Sequence, residues 1–382
     1  MNFPSDVEKI AGAIENEAIK SAVADGRPVV GYLCSYVPEE IIHAAGAIPY
    51  RLRAVGSRST VRADAYYGAR NCSFVRHVFD RVLSGACDFL SGMVFMNGCD
   101  HSRRMYDNWR DARSGDFLHL MAVPHKTGPT ALAQYESECR LLAKLLEDHL
   151  KTSITDSALS SSIALFNEKR RLLAQIASMR AARPSALTGS EFLSIALAVT
   201  ALPPEDAVAL LKECLKALDG RDVSRNFSVR LVLVGGCMED VDHLKLIEEA
   251  GGAIVADNLC LGSRLFEGEV NETGDPVKAI AARYLTRIAC PRMIDETGRR
   301  IEWLHRTLQE TGADAVLAEK LMFCDLWGGE IFIQKSEAQK RQVPFLSLER
   351  ELYGGGSGQH ATRLQAFFET VVNLKGRVGE NR

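Results

Sequence analysis

The sequence predicts an α/β protein in which two Rossmann- or flavodoxin-like parallel-sheet lobes are separated by a helical segment. Three observations carry this. Short apolar runs alternate with amphipathic helical stretches in residues 1–129 and again in residues 226–382, the pattern of buried parallel strands linked by crossover helices. Between 130 and 225 the alternation stops, and long helical patterns follow one another. Finally, one apolar run in each half leads into the same dipeptide, Cys99-Asp100 and Cys324-Asp325. A thiol at the carboxyl end of a parallel strand stands where open α/β sheets hold their ligands.

In the first lobe, residues 28–33 read as a buried strand. Residues 38–45 follow as a helix, with Pro38 in the first turn and Gly46 closing it. A second strand covers 47–52. The helix over 71–86 sets Phe74, Val75, Val78, Phe79 and Val82 on one face. A strand over 89–97, a helix over 103–113 and a strand over 117–123 complete the βαβ pattern. The helical segment comprises 131–150, 157–179, 188–199 and 204–218, with Pro203-Pro204 as a break. In the second lobe, strands are expected over 229–234, 253–256, 315–323 and 343–348. Helices are expected over 241–250, 299–311, 329–341 and 359–374.

The two lobes carry similar openings. Gly31-Tyr32-Leu33-Cys34 and a helix lead to Ala45-Gly46-Ala47-Ile48, while Val234-Gly235-Gly236-Cys237 and a helix lead to Ala250-Gly251-Gly252-Ala253-Ile254. This suggests an internal duplication; the alternative is chance, since glycine-capped βαβ units resemble one another.

The chain has 382 residues, 46% of them hydrophobic and 25% charged, with a formal net charge of -3. That balance gives neither a basic footprint for nucleic acid nor a polybasic membrane patch. No apolar run reaches the roughly 18 residues of a membrane span. The start, Met1 to Lys9, carries acidic residues and no apolar core of a signal peptide. The expectation is a cytoplasmic protein.

Ten cysteines stand at 34, 72, 87, 99, 139, 214, 237, 260, 290 and 324. A reducing cytosol keeps such residues as thiols or metal ligands. No Cys-x-x-Cys occurs, so neither a zinc ribbon nor a local ferredoxin-type loop is present. Cys87, Cys139, Cys214 and Cys290 read as small buried hydrophobes. Cys72 starts a helix, where the N-terminus favours a thiolate. Three readings are open for Cys72, Cys99 and Cys324: simple burial, a [4Fe–4S] cube held by three thiolates from separate loops, or a zinc site using Cys99, His101 and another cysteine.

Longer segments carry a resemblance. Gly31-Tyr32-Leu33-Cys34-Ser35-Tyr36-Val37-Pro38-Glu39-Glu40 through Ile48-Pro49 comes first. Asn71-Cys72-Ser73, Asn97-Gly98-Cys99-Asp100, Ala256-Asp257-Asn258-Leu259-Cys260 and Met322-Phe323-Cys324-Asp325 follow in order. Together they resemble the 2-hydroxyacyl-CoA dehydratase and benzoyl-CoA reductase superfamily, in the D-component type of subunit.

The resemblance implies a [4Fe–4S] cluster on Cys72, Cys99 and Cys324, with Cys34 outside the ligand set and Cys237 and Cys260 secondary or structural. It implies one-electron chemistry on an acyl-CoA thioester: reduction of an aromatic acyl-CoA or, alternatively, dehydration of a 2-hydroxyacyl-CoA. A third alternative is a double-cubane-like electron-transfer protein without a CoA substrate. The implied partners are a homologous second cluster subunit, an ATP-hydrolysing iron–sulfur activator and a ferredoxin upstream. The chain itself has no G-x-x-x-x-G-K-[ST] nucleotide loop. Near the expected cluster, Ser35, Glu39 and His101 are candidates for catalysis, and Tyr36, Arg103 and Arg104 for substrate contact. Each has a plainer reading: Glu39 as a partner of the helix dipole, His101 as a loop histidine, and the two arginines as a solvated helix face.

Overall fold

The computed structural model describes residues 3–68, 70–113, 115–223, 227–353 and 357–380. The expected boundary between the helical segment and the second lobe, at residues 225 and 226, lies outside them.

Two four-stranded, all-parallel sheets form the frame. In the first, β1 (Val29–Tyr32), β2 (Ile48–Arg51), β3 (Gly92–Met96) and β4 (Phe117–Met121) lie in the order β2-β1-β3-β4. In the second, β5 (Val229–Gly235), β6 (Gly252–Asn258), β7 (Ala315–Leu321) and β8 (Phe345–Arg350) lie in the order β6-β5-β7-β8. The two orders are the same when each sheet is numbered from its own first strand. Each chain path steps outward from its first strand, then crosses to that strand's other side. The topological switch points therefore lie between β1 and β3 and between β5 and β7, which the pairs Val30↔Gly92 and Leu231↔Ala315 place side by side.

Helices cover both faces of each sheet, so both faces of the strands are apolar. The two-residue period of the strand sorts the side chains. Val30, Tyr32, Val94 and Met96 join one core, with α3 (Glu39–Ala44), α6 (Pro129–Leu150) and α12 (Pro276–Arg287). Val29, Met93 and Phe95 join the opposite one, with α2 (Glu17–Ala24), α4 (Ser73–Leu83) and α5 (Asp100–Ala112). In the second sheet Leu231 and Leu233 face α8 (Gly189–Val199), α9 (Pro204–Leu218), α10 (Val241–Glu249) and α15 (Ser357–Glu380), together with α1 (Ser5–Ala11). Val232 and Val234 face α13 (Thr297–Thr311) and α14 (Asp325–Lys340). The short α11 (Ser263–Phe266) follows β6.

The helix α7 (Asp156–Ala181) is about 39 Å long at 1.5 Å per residue. Its Leu159 and Ile163 lie in the core of the first lobe, and its Leu173 and Ile176 in that of the second. Two further ties join α7 to α3: Lys169 to Glu39 at 2.9 Å, and Arg170 to the fully buried Glu40. The interior helices thus share cores with both sheets.

Several helices differ from the expectation: α1, α2 and α11 fall where no element is expected. α5 begins at Asp100 rather than 103, and α14 at Asp325 rather than 329. Gly328, just before the expected helix, and Gly329, its expected first residue, both lie within the first turns of α14. α12 falls in a stretch for which no element is expected.

Candidate iron–sulfur site

The early helix starts have a chemical consequence. Cys72 is the N-cap of α4, Cys99 of α5 and Cys324 of α14. All three helices exceed ten residues, and each N-terminus offers unpaired amides and the positive end of a dipole. At Cys99, Ser102 closes a capping box on the N-cap amide at 3.2 Å.

The strand ends supply further thiols in matched positions. Cys34 lies two residues beyond Tyr32 of β1, and Cys237 two beyond Gly235 of β5. Cys99 lies three beyond Met96 of β3, and Cys324 three beyond Leu321 of β7. The same sheet order with the same thiol offsets puts all four at the two switch points, facing one another.

They meet in a cavity of about 130 Å³ between the lobes, lined by Cys34, Cys72, Cys99, Cys237, Cys260, Cys290 and Cys324. Seven of the ten cysteines therefore share one site, and all are free thiols. The remaining wall is mostly apolar, with Leu33, Phe74, Val75, Leu321 and Trp327. Two electrostatic groups are distinguishable. Cys72, Cys99 and Cys324 act on one another; Cys34, Cys237, Cys260 and Cys290 form a second set. Cys324 also senses Cys260 and Cys290, so the sets adjoin.

Without a metal, burial pushes the Cys72 thiol up to about 12 and Cys324 up to about 11, against the pull of backbone amides at their helix starts. Burial likewise raises Cys34, and lifts Cys290 to about 11. Cys260 goes the other way. Its sulfur accepts from Cys237 and from the guanidinium of Arg264 at 3.1 Å, and Arg51 adds to the pull. Cys237 is raised in turn by that hydrogen bond and by burial.

The donor set fits an iron–sulfur cluster. Bound irons take thiolates, replacing the protons that burial otherwise retains. Three helix N-termini and a dry wall suit an anionic group. Among the described residues no three His, Cys, Asp or Glu side chains come close enough to share a single metal ion. Both ring nitrogens of His101 are engaged, Nδ1 with Asn71 Oδ1 at 3.1 Å and Nε2 with the Phe323 carbonyl at 2.8 Å. The zinc arrangement through Cys99 and His101 would have to break one of these contacts.

None of the other expected contact residues lines the thiol cavity. Ser35 is buried, accepting from Arg51 at 2.7 Å and donating to the Cys260 carbonyl at 3.1 Å. Tyr36 is buried, with its hydroxyl on the Ile288 carbonyl at 3.1 Å. Glu39 accepts from Tyr32 and Lys169, both at 2.9 Å. Ser35 and Glu39 line a small polar chamber behind the cavity, with Arg264, Arg283 and Tyr284. Arg103 and Arg104 are exposed on α5, Arg103 lying 3.6 Å from Asp100.

Several lining residues escape the sequence reading. Cys290, expected to be an inert hydrophobe, lines the cavity. It follows α12, outside any expected strand end. Arg51 and Arg292 also line it, and only the pairing of distant strands brings them there. No helix among the described residues is long and apolar enough to cross a membrane.

Known proteins resemble this chain over most of its length. The family model for the 2-hydroxyglutaryl-CoA dehydratase D-component matches residues 34–371. A benzoyl-CoA reductase subunit of Thauera aromatica is 27% identical over 339 residues, covering 87% of each chain. The beta subunit of lactoyl-CoA dehydratase from Anaerotignum propionicum is 28% identical, covering 96% of this chain and 100% of that one. The putative dehydratase subunit YjiM of Escherichia coli is also 28% identical, over 91% of this chain and 92% of its own length. With the match spanning both lobes and every thiol of the cavity, the chain belongs to the 2-hydroxyglutaryl-CoA dehydratase D-component family.

Proposed function

We propose that the chain is the iron–sulfur subunit of an ATP-activated, radical-type system, with Cys72, Cys99 and Cys324 holding a [4Fe–4S] cluster. The observation that carries this is the convergence of three N-capping thiols on one apolar, interlobe cavity. When bound, such a cluster supplies one-electron transfer at low potential. The chain's residues bind and shield it: the helix starts face the thiolates, and Phe74, Val75 and Trp327 exclude water. The chain lacks a nucleotide loop of its own, which supports a separate ATP-hydrolysing iron–sulfur activator fed by a ferredoxin. The subunit names of the relatives support a homologous second cluster subunit.

Within this family, the geometry favours a double-cubane-like electron-transfer role without a CoA substrate. Four thiols beyond the first three share the cavity. A cube held by three cysteines leaves one iron for a substrate or another ligand; here Cys260 and Cys290 adjoin that space. The groups expected to touch a thioester are committed elsewhere, Ser35, Tyr36 and Glu39 in buried hydrogen bonds and Arg103 and Arg104 at the surface.

A second reading keeps the chain in acyl-CoA chemistry, as a benzoyl-CoA reductase-like subunit reducing an aromatic acyl-CoA or as a subunit of a 2-hydroxyacyl-CoA dehydratase. The relatives support it, and support its two branches alike, at 27% and 28% identity.

Anaerobic purification followed by iron and sulfide analysis tests these readings. The first expects more iron per chain than one four-iron cube contains, and a partial loss of iron in Cys34→Ser and Cys260→Ser. It also expects an EPR signal that does not change with benzoyl-CoA or lactoyl-CoA. Iron for a single cube with an acyl-CoA-sensitive signal favours the second reading. Full iron in Cys72→Ala, Cys99→Ala and Cys324→Ala sinks the cluster assignment altogether.

A further inference from the structure

Four of the buried arginines in this fold are paired with carboxylates, one of them Arg170 with Glu40. Arg180 meets Asp257 at 2.8 Å, Arg300 meets Glu330 at 2.9 Å and Arg350 meets Glu319 at 3.1 Å. Five more, Arg51, Arg53, Arg264, Arg283 and Arg292, have no carboxylate within ion-pairing distance among the described residues; Arg53 and Arg283 donate to backbone carbonyls, whereas Arg51, Arg264 and Arg292, 1–2% exposed, adjoin the thiol cavity.

Their partners are neutral. Arg51 donates to Ser35 Oγ at 2.7 Å. Arg264 donates to Asn258 Oδ1 at 2.7 Å and to the carbonyls of Asn258, Ala289 and Gly235 at 2.8–3.2 Å. Arg292 donates to the carbonyls of Pro124 and Val123 at 2.7 and 2.9 Å. Each guanidinium also lies over an aromatic ring: Arg51 on Tyr32 at 5.6 Å, Arg264 on Trp327 and Arg292 on Tyr36, both at 5.1 Å.

An isolated buried charge is costly, and nature rarely leaves one without a counter-charge. The shared direction of these three identifies the counter-charge. Arg51 acts on Cys34, Cys237 and Cys260, Arg264 on Cys260 and Cys290, and Arg292 on Cys34. None is among the main influences on Cys72 or Cys324, where helix N-termini do that work. The cavity has two ends, one backed by helix dipoles and one by three full positive charges.

We propose that Arg51, Arg264 and Arg292 form a preorganised cation cradle that sets the reduction potential of the thiol site, making the Cys34–Cys237–Cys260–Cys290 end the place where an added electron resides. The inference rests on the double-cubane-like reading above, in which these four thiols also hold iron, and extends it to residues that ligate nothing. The physical basis is direct: net charge, burial and hydrogen bonds to sulfur are the levers on a cluster potential. Arg264 pulls two of them at once, with its charge and with its N–H on Cys260 Sγ at 3.1 Å. Removing a fixed positive charge favours the oxidised state, so the potential must fall.

EPR-monitored redox titration of the anaerobically purified holoprotein tests this on Arg264→Gln, Arg264→Lys and Arg292→Gln, with iron content measured alongside. At fixed solution potential the reduced-to-oxidised ratio in Arg264→Gln and Arg292→Gln should fall about tenfold, about 59 mV for a one-electron couple. Arg264→Lys, which keeps the charge, should recover most of it. Iron-replete glutamine variants with the wild-type midpoint overturn the proposal, as does a lysine variant no better than glutamine. If Arg264→Gln loses iron that Arg264→Lys retains, the requirement for charge stands. If both lose it, Arg264 is structural and Arg292→Gln decides. A wild-type chain without iron sinks the iron–sulfur reading itself, whereas an unshifted midpoint sinks only the cradle.

Discussion

His101 Nε2 meets the carbonyl of Phe323 at 2.8 Å, one residue before Cys324. The contact joins the first turn of α5, which Cys99 caps, to the loop that delivers Cys324 from the other lobe. Phe323 takes a left-handed φ of 64°, uncommon outside glycine, so its carbonyl is turned by a strained residue. The other ring nitrogen reaches Asn71, beside Cys72. One imidazole therefore ties together the loops of all three N-capping cysteines. His101→Ala should lower stability by about 1 kcal/mol, the net worth of the hydrogen bond its ring N–H donates. It should also speed the release of iron to a chelator. Urea unfolding checks the first outcome and chelator kinetics the second; wild-type iron retention removes the strap role.

Gly235 ends β5, two residues before Cys237. A Cβ there would stand 2.7 Å from the backbone oxygen of Glu319 on β7, which cannot move without parting the strands. Gly235→Ala should cost about 1–3 kcal/mol, as overpacking does. Because Cys237 follows directly, iron content should fall with it. Gly328 and Gly329 in α14 provide the opposite control: a Cβ at either meets nothing within 4 Å. Alanine there should stabilise the helix by up to about 1 kcal/mol per site, read as a rise in Tm.

Much of this site was legible because strand ends announce themselves. An apolar run followed by Cys-Asp marks a buried strand, its carboxyl end and a thiol in one stretch of sequence. That signal put Cys99 and Cys324 together, and a helix start flagged Cys72. The same βαβ opening in both halves anticipated two sheets of one order. The rest depended on tertiary placement. Cys290 follows a helix hidden in a polar stretch, so nothing local separates it from Cys139 or Cys214. Arg51 looks like the polar end of a short strand, and Arg264 lies on a four-residue helix. Only the meeting of two lobes shows that both serve one cavity. The earlier start of α14 has a related reason: glycines are poor helix formers, and tertiary packing of Trp327 and Ile331 holds this first stretch in a helix.

Cys290 and Cys139 consequently make a sharp pair. Both are thiols raised by burial. Cys139 lies on α6, in the core it shares with α3, while Cys290 faces six other thiols. Cys139→Ser should keep full iron content and lose about 1–3 kcal/mol through a buried hydroxyl. Cys290→Ser should lose iron with a smaller change in the fold. Equal iron content in the two variants would confine the cluster to Cys72, Cys99 and Cys324.

The buried pair of Glu40 and Arg170 predicts a pH dependence with a definite sign. Burial alone would raise the Glu40 carboxyl, but the charges of Arg170 and Arg283, with hydrogen bonds from Arg170 and Tyr284, hold it below the usual value of about 4.5. Neighbouring Glu39 is offset by Lys169 at 2.9 Å. A carboxylate whose folded pKa is depressed stabilises the fold above its unfolded pKa. That contribution is lost as the pH falls through the folded value. Glu40→Gln strands the Arg170 guanidinium in the core and should cost about 3–5 kcal/mol at neutral pH. Below about pH 4.5 the wild-type advantage should shrink, because protonation makes its own Glu40 neutral as well. Thermal melts of both proteins between pH 3 and 7 measure this difference, and other carboxylates common to both cancel. A gap that stays constant to pH 3 would show that the cost of Glu40→Gln does not come from the charge of the carboxylate.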